Sequence, residues 1–162
     1  MRMALDEAKK CMATPTAFCV GCVITSSSSH LPMVISTGYS RELAGNTHAE
    51  ANALTKLQAL PLHELIESMG LDEHAKLVDI LAEADVYTTM EPCSVRTSGL
   101  APCSDALIAA KIKSCFIGVA EPADFVVCEG AQKLKDAGID VVWLSGLEQE
   151  CLQEARRGHT AS

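Results

Sequence analysis

The sequence predicts an α/β fold, a three-layer α/β/α sandwich built on a five-stranded mixed sheet, and three observations carry that prediction. Two β-branched, apolar runs, at 18–25 and 33–37, are joined by a serine-rich connection, which reads as an antiparallel hairpin. Beyond residue 84, strand-like runs at 85–90, 115–120 and 139–144 alternate with helix-like segments, and strands separated by helices imply parallel crossovers. No internal repeat or linker interrupts the 162 residues, a length that suits one domain, so residues 1–162 are read as a single domain. Strands 1 and 2 are expected antiparallel and the remainder parallel, with helices on both faces.

Residues 2–13 carry Met3, Leu5, Ala8 and Met12 among Glu7, Lys9 and Lys10, the mark of a helix with one apolar face. In the first strand Cys19 and Cys22 form a C-x-x-C. Residues three apart on a strand face opposite sides, so the pair cannot grip one ion and is read as core thiols. After Gly38 a polar segment leads to Asn46-Thr47, a start signal for a helix rich in good helix formers, with His48 in its first turn. Pro61 ends or kinks that helix. Two amphipathic patterns follow, Leu62-Leu65-Ile66-Met69 and Ala75-Leu77-Val78-Ile80-Leu81, split around Gly70. His63 and His74 lie there without a cysteine or carboxylate partner at metal-binding spacing and are read as surface or partly packed. Pro102 opens a helix running to Lys111, which places Cys103 near a helix N-terminus, where thiolate is favoured over thiol. Helices at 126–137, closed by Gly138, and at 147–157 complete the chain.

A formal charge of −8 and the absence of any basic run argue against nucleic-acid or membrane-surface partners and leave a small metabolite as the expected substrate. No apolar run reaches the roughly 18 residues of a membrane span, and residues 1–7 lack a signal peptide's apolar core. Eight cysteines scattered among apolar neighbours, Cys19, Cys115 and Cys128 among them, suit a reducing compartment better than a disulfide framework. A soluble, intracellular protein is expected.

Chemistry concentrates at residues 91–103, where the pairs Pro92-Cys93 and Pro102-Cys103 stand downstream of His48-Ala49-Glu50. Two thiolates and an imidazole make three ligands and leave the fourth tetrahedral position open, as a catalytic zinc requires. A closed zinc knot would want a fourth thiol or imidazole, and neither segment supplies one. Glu50 is then the proton carrier. Positions 48 and 50 stand about 200° apart around a helix, so both serve one site only if it lies off the helix end. The nine residues between Cys93 and Cys103 exceed what chelation needs, and Ser94, Arg96, Thr97 and Ser98 supply donors suited to substrate recognition. Arg96 suits phosphate or carbonyl oxygens, or is a solvated loop charge.

His-x-Glu combined with Pro-Cys and a second Cys is the signature of zinc-dependent base deaminases. At these residues the sequence resembles the cytidine-deaminase-like superfamily and, more closely, the pyrimidine deaminase of riboflavin biosynthesis. Bacterial members carry a motif resembling Glu-Pro-Cys-Ser-(variable)-Arg-Thr-Pro-Pro-Cys, to which Glu91, Pro92, Cys93, Ser94, Arg96, Thr97, Pro102 and Cys103 are similar. Most other deaminases of the superfamily have only two residues between the cysteines. The spacer here is one residue longer than the bacterial riboflavin pattern, and its Arg96-Thr97-Ser98-Gly99 resembles the fungal version. Val20 to Ile24, Gly118 to Pro122 and Ala137 to Ile139 also resemble the family's strands. Ala17-Phe18 stands where bacterial members carry Asn-Pro, Ser40 where they carry histidine, and 62–83 is an insertion.

The resemblance implies a cytidine-deaminase-like fold and a zinc-dependent hydrolase acting on a cyclic amidine C–N bond. Zn2+ would be held by His48, Cys93 and Cys103, with Glu50 catalytic and substrate contacts from Ser40, Asn46, Ala49, Ser94, Arg96, Thr97 and Ser98. With Ser162 last and no reductase region, it implies the fungal form, in which the reductase acts first. The substrate is then a pyrimidine phosphate of the riboflavin pathway, diamino-ribitylamino-pyrimidinone phosphate, rather than its ribosylamino counterpart. Neither nucleic acid nor membrane is expected as a partner, a homodimer is compatible, and the cytoplasm is the expected compartment, with the nucleus also open. Three alternatives stand beside it. One is a nucleoside, nucleotide (cytidine or deoxycytidylate) or free-base deaminase. A tRNA-editing enzyme would need a basic face. A zinc-binding interaction module would keep the ligands and release no ammonia.

Overall fold

Five short strands, rich in apolar and β-branched residues, build one sheet with the order β2-β1-β3-β4-β5. These strands are β1 (Gly21–Ser26), β2 (Met33–Tyr39), β3 (Ala84–Met90), β4 (Ser114–Val119) and β5 (Asp140–Trp143) in a computed structural model that describes residues 1–26, 32–96, 99–122 and 128–159. β1 pairs antiparallel with β2 on one side and with β3 on the other, setting Cys22 opposite both Gly38 and Thr88. β3, β4 and β5 are mutually parallel. The mixed sheet therefore has the expected hairpin and parallel half, and the antiparallel β1–β3 pairing joins them.

The helices among the described residues are α1 (Arg2–Ala8), α2 (Ala49–Ala59), α3 (Leu62–Met69), α4 (Leu77–Ala82), α5 (Cys103–Ala109), α6 (Gly130–Asp136) and α7 (Glu148–Ala155). α1 and α7 touch each other and pack on one face, while α2, α5 and α6 form a chain of neighbours on the other. Adjacent residues of β1 show the two faces directly: a side chain at Gly21 would run into α1, whereas Cys22 joins the core beneath α2. That core takes Ile24, Leu57, Val86, Leu107, Ile117 and Leu134 out of water.

Several boundaries differ from expectation. α1 stops at Ala8 rather than at 13, because the apolar stripe has no sheet left to cover: Met12 is 80% exposed, and the chain turns into an isolated bridge between Thr14 and Ala17. Phe18 and Cys19 precede β1, and Cys19 and Cys22 are both fully buried free thiols. The expected helix at 126–137 is described from Gly130, and 123–127 lie outside the described residues, as do 27–31 of the serine-rich loop. The 62–83 segment forms α3 and α4, separated by Gly70 in the left-handed conformation. Leu65, Ile66, Met69, Ile80 and Leu81 enter the main core, so the insertion extends that core, and His63 and His74 stay exposed. No helix among the described residues is long and apolar enough to cross a membrane.

The position of α2 is the feature on which the site is built. A Cβ at Gly38 would stand 2.3 Å from the Ala49 carbonyl oxygen and 2.6 Å from the Ala53 nitrogen, so helix backbone rests directly on strand backbone. The Ser36 hydroxyl adds a hydrogen bond to the Ala53 carbonyl at 2.7 Å. Gly38→Ala is therefore expected to lower stability by about 1–3 kcal/mol or more, because the obstacle is backbone and cannot rotate away. Urea unfolding with an unchanged m-value and a lower midpoint checks this.

Candidate active site

His48 does not lie inside the first turn of α2. It is the N-cap, with extended backbone (φ −99, ψ 158), and this lifts its ring off the helix end while Glu50 remains in the first turn. The geometric obstacle of two residues on opposite sides of a helix is removed in this way. Cys93 arrives from the C-terminal end of β3 after Glu91-Pro92, and Cys103 begins α5 directly after Pro102. His48 Nδ1 stands 3.4 Å from Cys93 Sγ and 3.5 Å from Cys103 Sγ. All three ligand atoms lie within 4.8 Å of one another, the one such group of metal-ligating side chains among the described residues. A tetrahedral zinc with ordinary Zn–S and Zn–N lengths sets adjacent sulfur and nitrogen about 3.6 Å apart, so the donor set fits that ion.

Backbone groups hold the sulfurs in place. The Cys103 N–H donates to Cys93 Sγ at 3.3 Å, and the Ser104 N–H and hydroxyl donate to the Cys93 carbonyl at 3.2 and 3.1 Å. Contact with the Cys103 side chain holds the Cys93 thiol well below its usual range, and the same contact, together with burial, pushes Cys103 up. A divalent ion held there would favour the thiolate at both sulfurs. Elsewhere burial is the leading cause, with nearby carboxylates acting in the same sense: it pushes the Cys22 and Cys115 thiols far up and Cys128 up to about 12.

Glu50 is 3% exposed and faces β3, where the Thr88 hydroxyl donates to its Oε1 at 2.8 Å. Burial raises its proton affinity, with His48 acting in the opposite sense. His48, Glu50 and Cys93 open into a cavity of about 390 Å³ at the C-terminal end of β3, with Phe18, Val20, Met90 and Val95 as its apolar wall.

The expected substrate contacts divide. Ser40, Asn46 and Arg96 line the cavity. Ser40 is buried and accepts the Val20 N–H at 3.1 Å, and the Arg96 guanidinium donates to the Asn46 carbonyl. Ala49 is fully buried and is not part of the wall. Ser94 is not part of it either, since its hydroxyl accepts the Glu129 N–H at 3.1 Å and so ties the metal loop to the start of α6. Thr97 and Ser98 lie outside the described residues. The tie to α6 is reinforced where Glu91 accepts the Ala131 N–H at 2.9 Å, and where a Cβ at Gly130 would fall 1.6 Å from the Pro92 carbonyl oxygen.

Three polar wall residues, Thr16, Arg41 and Glu121, went unrecognised in the sequence. Arg41, at φ 64, donates to the carbonyls of Phe18 (3.0 Å) and Met12 (2.7 Å). Glu121 follows β4, its carboxyl pushed up by burial, with one buried oxygen that has no hydrogen-bond partner among the described residues. An acidic residue just past a parallel strand's C-terminal end was the available signal for Glu121. Arg41 had none, because its role follows from a backbone turn.

Comparison with known proteins agrees with this geometry. Residues 1–119 match the family model described as cytidine and deoxycytidylate deaminase zinc-binding region. Over 159 residues the chain is 42% identical to the diaminohydroxyphosphoribosylamino-pyrimidine deaminase of Schizosaccharomyces pombe, covering 98% of this chain and 35% of that protein. It is 35% identical over 153 residues to the riboflavin biosynthesis protein RibD of Actinobacillus pleuropneumoniae, covering 93% of this chain and 33% of that protein. The chain thus spans about a third of the length of these curated relatives. Among solved structures, the Aspergillus oryzae Rib2 deaminase in complex with DARIPP, a C-terminal deletion mutant, superposes with a TM-score of 0.75 at 35% identity, covering 98% of this chain and 88% of that one.

If the three ligands act together, Cys103→Ala will not retain stoichiometric zinc. Elemental analysis of purified wild type and variant is the check, with about one zinc per chain expected in the former and a large deficit in the latter. Full occupancy in Cys103→Ala would remove that residue from the ligand set.

Proposed function

Because the chain belongs to the cytidine and deoxycytidylate deaminase zinc-binding family, we propose that it hydrolytically deaminates a pyrimidine phosphate of the riboflavin pathway, diamino-ribitylamino-pyrimidinone phosphate, with release of ammonia. The carrying observation is the buried Glu50 beside the His48, Cys93 and Cys103 cluster, with Glu50, His48 and Cys93 lining one cavity. The likeness to a Rib2 deaminase solved with DARIPP supports the choice of substrate over a free base or nucleoside.

His48, Cys93 and Cys103 would hold the zinc, which when bound would lower the pKa of water toward neutrality and so supply a nucleophile. Glu50 handles the protons. It accepts a proton from the attacking water and passes it to the ring nitrogen, then takes the proton of the newly added hydroxyl and passes it to the departing amine, so that water enters and ammonia leaves in balance. Its burial suits both halves of that task, because a carboxyl with raised proton affinity can hold a proton between steps. Phe18, Val20 and Met90 give the ring an apolar surface and keep bulk water away from Glu50. Arg96 is partly exposed on the wall, with one donor used on the Asn46 carbonyl and others left for an anion such as the substrate phosphate.

Ammonia release from diamino-ribitylamino-pyrimidinone phosphate, measured against cytidine and deoxycytidylate, tests the reading. Preference for either nucleoside or nucleotide would overturn the substrate assignment, and no release from any of them would favour a non-catalytic zinc module.

Two variants test the residue roles. Glu50→Gln is expected to keep its zinc and its fold while losing activity by about 10²-fold or more, the scale of a general acid–base group. Loss of metal in that variant would instead make Glu50 a ligand. Arg96→Ala should leave zinc content and melting temperature near wild type and reduce kcat/KM by roughly 10- to 100-fold. If the guanidinium holds the phosphate, that loss shrinks on the dephosphorylated substrate.

A further inference from the structure

β3 carries a hydroxyl where its surroundings call for a hydrocarbon. Thr88 is fully buried, and its sheet neighbours are Cys22 on β1 and Ile117 on β4, each also fully buried. Val86, two residues earlier on the same face of β3, is apolar and lies in the same core. Valine has the shape of threonine, and in such a wall an unpartnered hydroxyl carries a desolvation cost that a methyl does not. The Thr88 hydroxyl is partnered, standing 2.8 Å from Glu50 Oε1 and 2.9 Å from the Met90 carbonyl oxygen. Its single proton serves only one of these acceptors at a time and favours the carboxylate, the stronger one.

We infer that Thr88 is a positioning residue for the deamination: it fixes one carboxylate oxygen of Glu50 from the sheet side and so orients the other toward the reacting atoms. It acts through Glu50 and does not itself line the cavity. Glu50 sits in the first turn of α2 on a flexible side chain, and burial alone does not choose its torsion angles. The strand does so, because Thr88 lies three residues ahead of Glu91 on the segment that also delivers Cys93. One strand therefore sets both a metal ligand and the direction of the proton carrier. The inference rests on the reading of Glu50 as proton carrier given above.

The test compares zinc-loaded wild type, Thr88→Val, Thr88→Ser and Glu50→Gln on diamino-ribitylamino-pyrimidinone phosphate and, in parallel, on cytidine and deoxycytidylate. On whichever pyrimidine the wild type deaminates, Thr88→Val is expected to lower kcat by about 10- to 100-fold, the effect of a misaligned catalytic group. Its KM should stay within about twofold and its zinc content unchanged, because substrate and metal contacts are untouched. Thr88→Ser, which keeps the hydroxyl and drops the methyl, should recover most of the rate. Wild-type kcat in Thr88→Val would overturn the inference. Equal impairment of the serine and valine variants would overturn it too, by assigning the effect to packing, and so would loss of zinc from Thr88→Val. An active Glu50→Gln enzyme, or a wild type inert on every pyrimidine, defeats the underlying reading as well.

Discussion

The direct seating of α2 on the hairpin is the contact from which the rest of the site follows. With no side chain between them at Gly38, helix and strand approach to backbone distance, and the first turn of α2 is carried deep enough for Glu50 to reach across to β3. A wider spacing would leave Glu50 near solvent and His48 short of the two sulfurs. Backbone-to-backbone contact also explains why the carboxylate can be 3% exposed without being stranded: the sheet beneath it supplies a donor at Thr88. Proton affinity, orientation and reach are thus set by one packing distance.

The metal loop is secured on its other side by a separate set of bonds. Ser94, Glu91 and Pro92 are all engaged with the start of α6, and Ser104 holds the Cys93 carbonyl. Of these, Ser94 looks from its chemistry like a substrate donor, yet the backbone consumes its hydroxyl. Ser94 illustrates how a hydroxyl next to a ligand serves metal geometry by fixing the chain that bears the ligand.

Much of this was legible in the residues alone. β-branched, apolar runs pointed to the strands, the two Pro-Cys pairs and His48-Ala49-Glu50 pointed at the metal cluster, and the geometric demand that His48 and Glu50 meet off a helix end is met by the N-cap position. Three things were not legible. The antiparallel pairing of β1 with β3 joins segments about 60 residues apart and leaves no local pattern. The stop of α1 at Ala8 depends on where the sheet ends rather than on Met12's own preference. Phe18, Arg41 and Glu121 meet at the cavity only through tertiary folding, from positions that carry no shared spacing.

The wide separation of the ligands along the chain has a kinetic meaning. His48 is 45 residues from Cys93 and 55 from Cys103, so although the two sulfurs share one short segment, no local segment can hold all three donors before long-range pairing is in place. The hairpin must seat α2, β1 must accept β3, and α5 must return to the strand end before imidazole and sulfurs converge. Ion capture is therefore a late event in folding, and its binding free energy adds to the stability of the finished tertiary structure rather than to any fragment. A chelator consequently acts on this chain as a selective destabiliser of the completed fold.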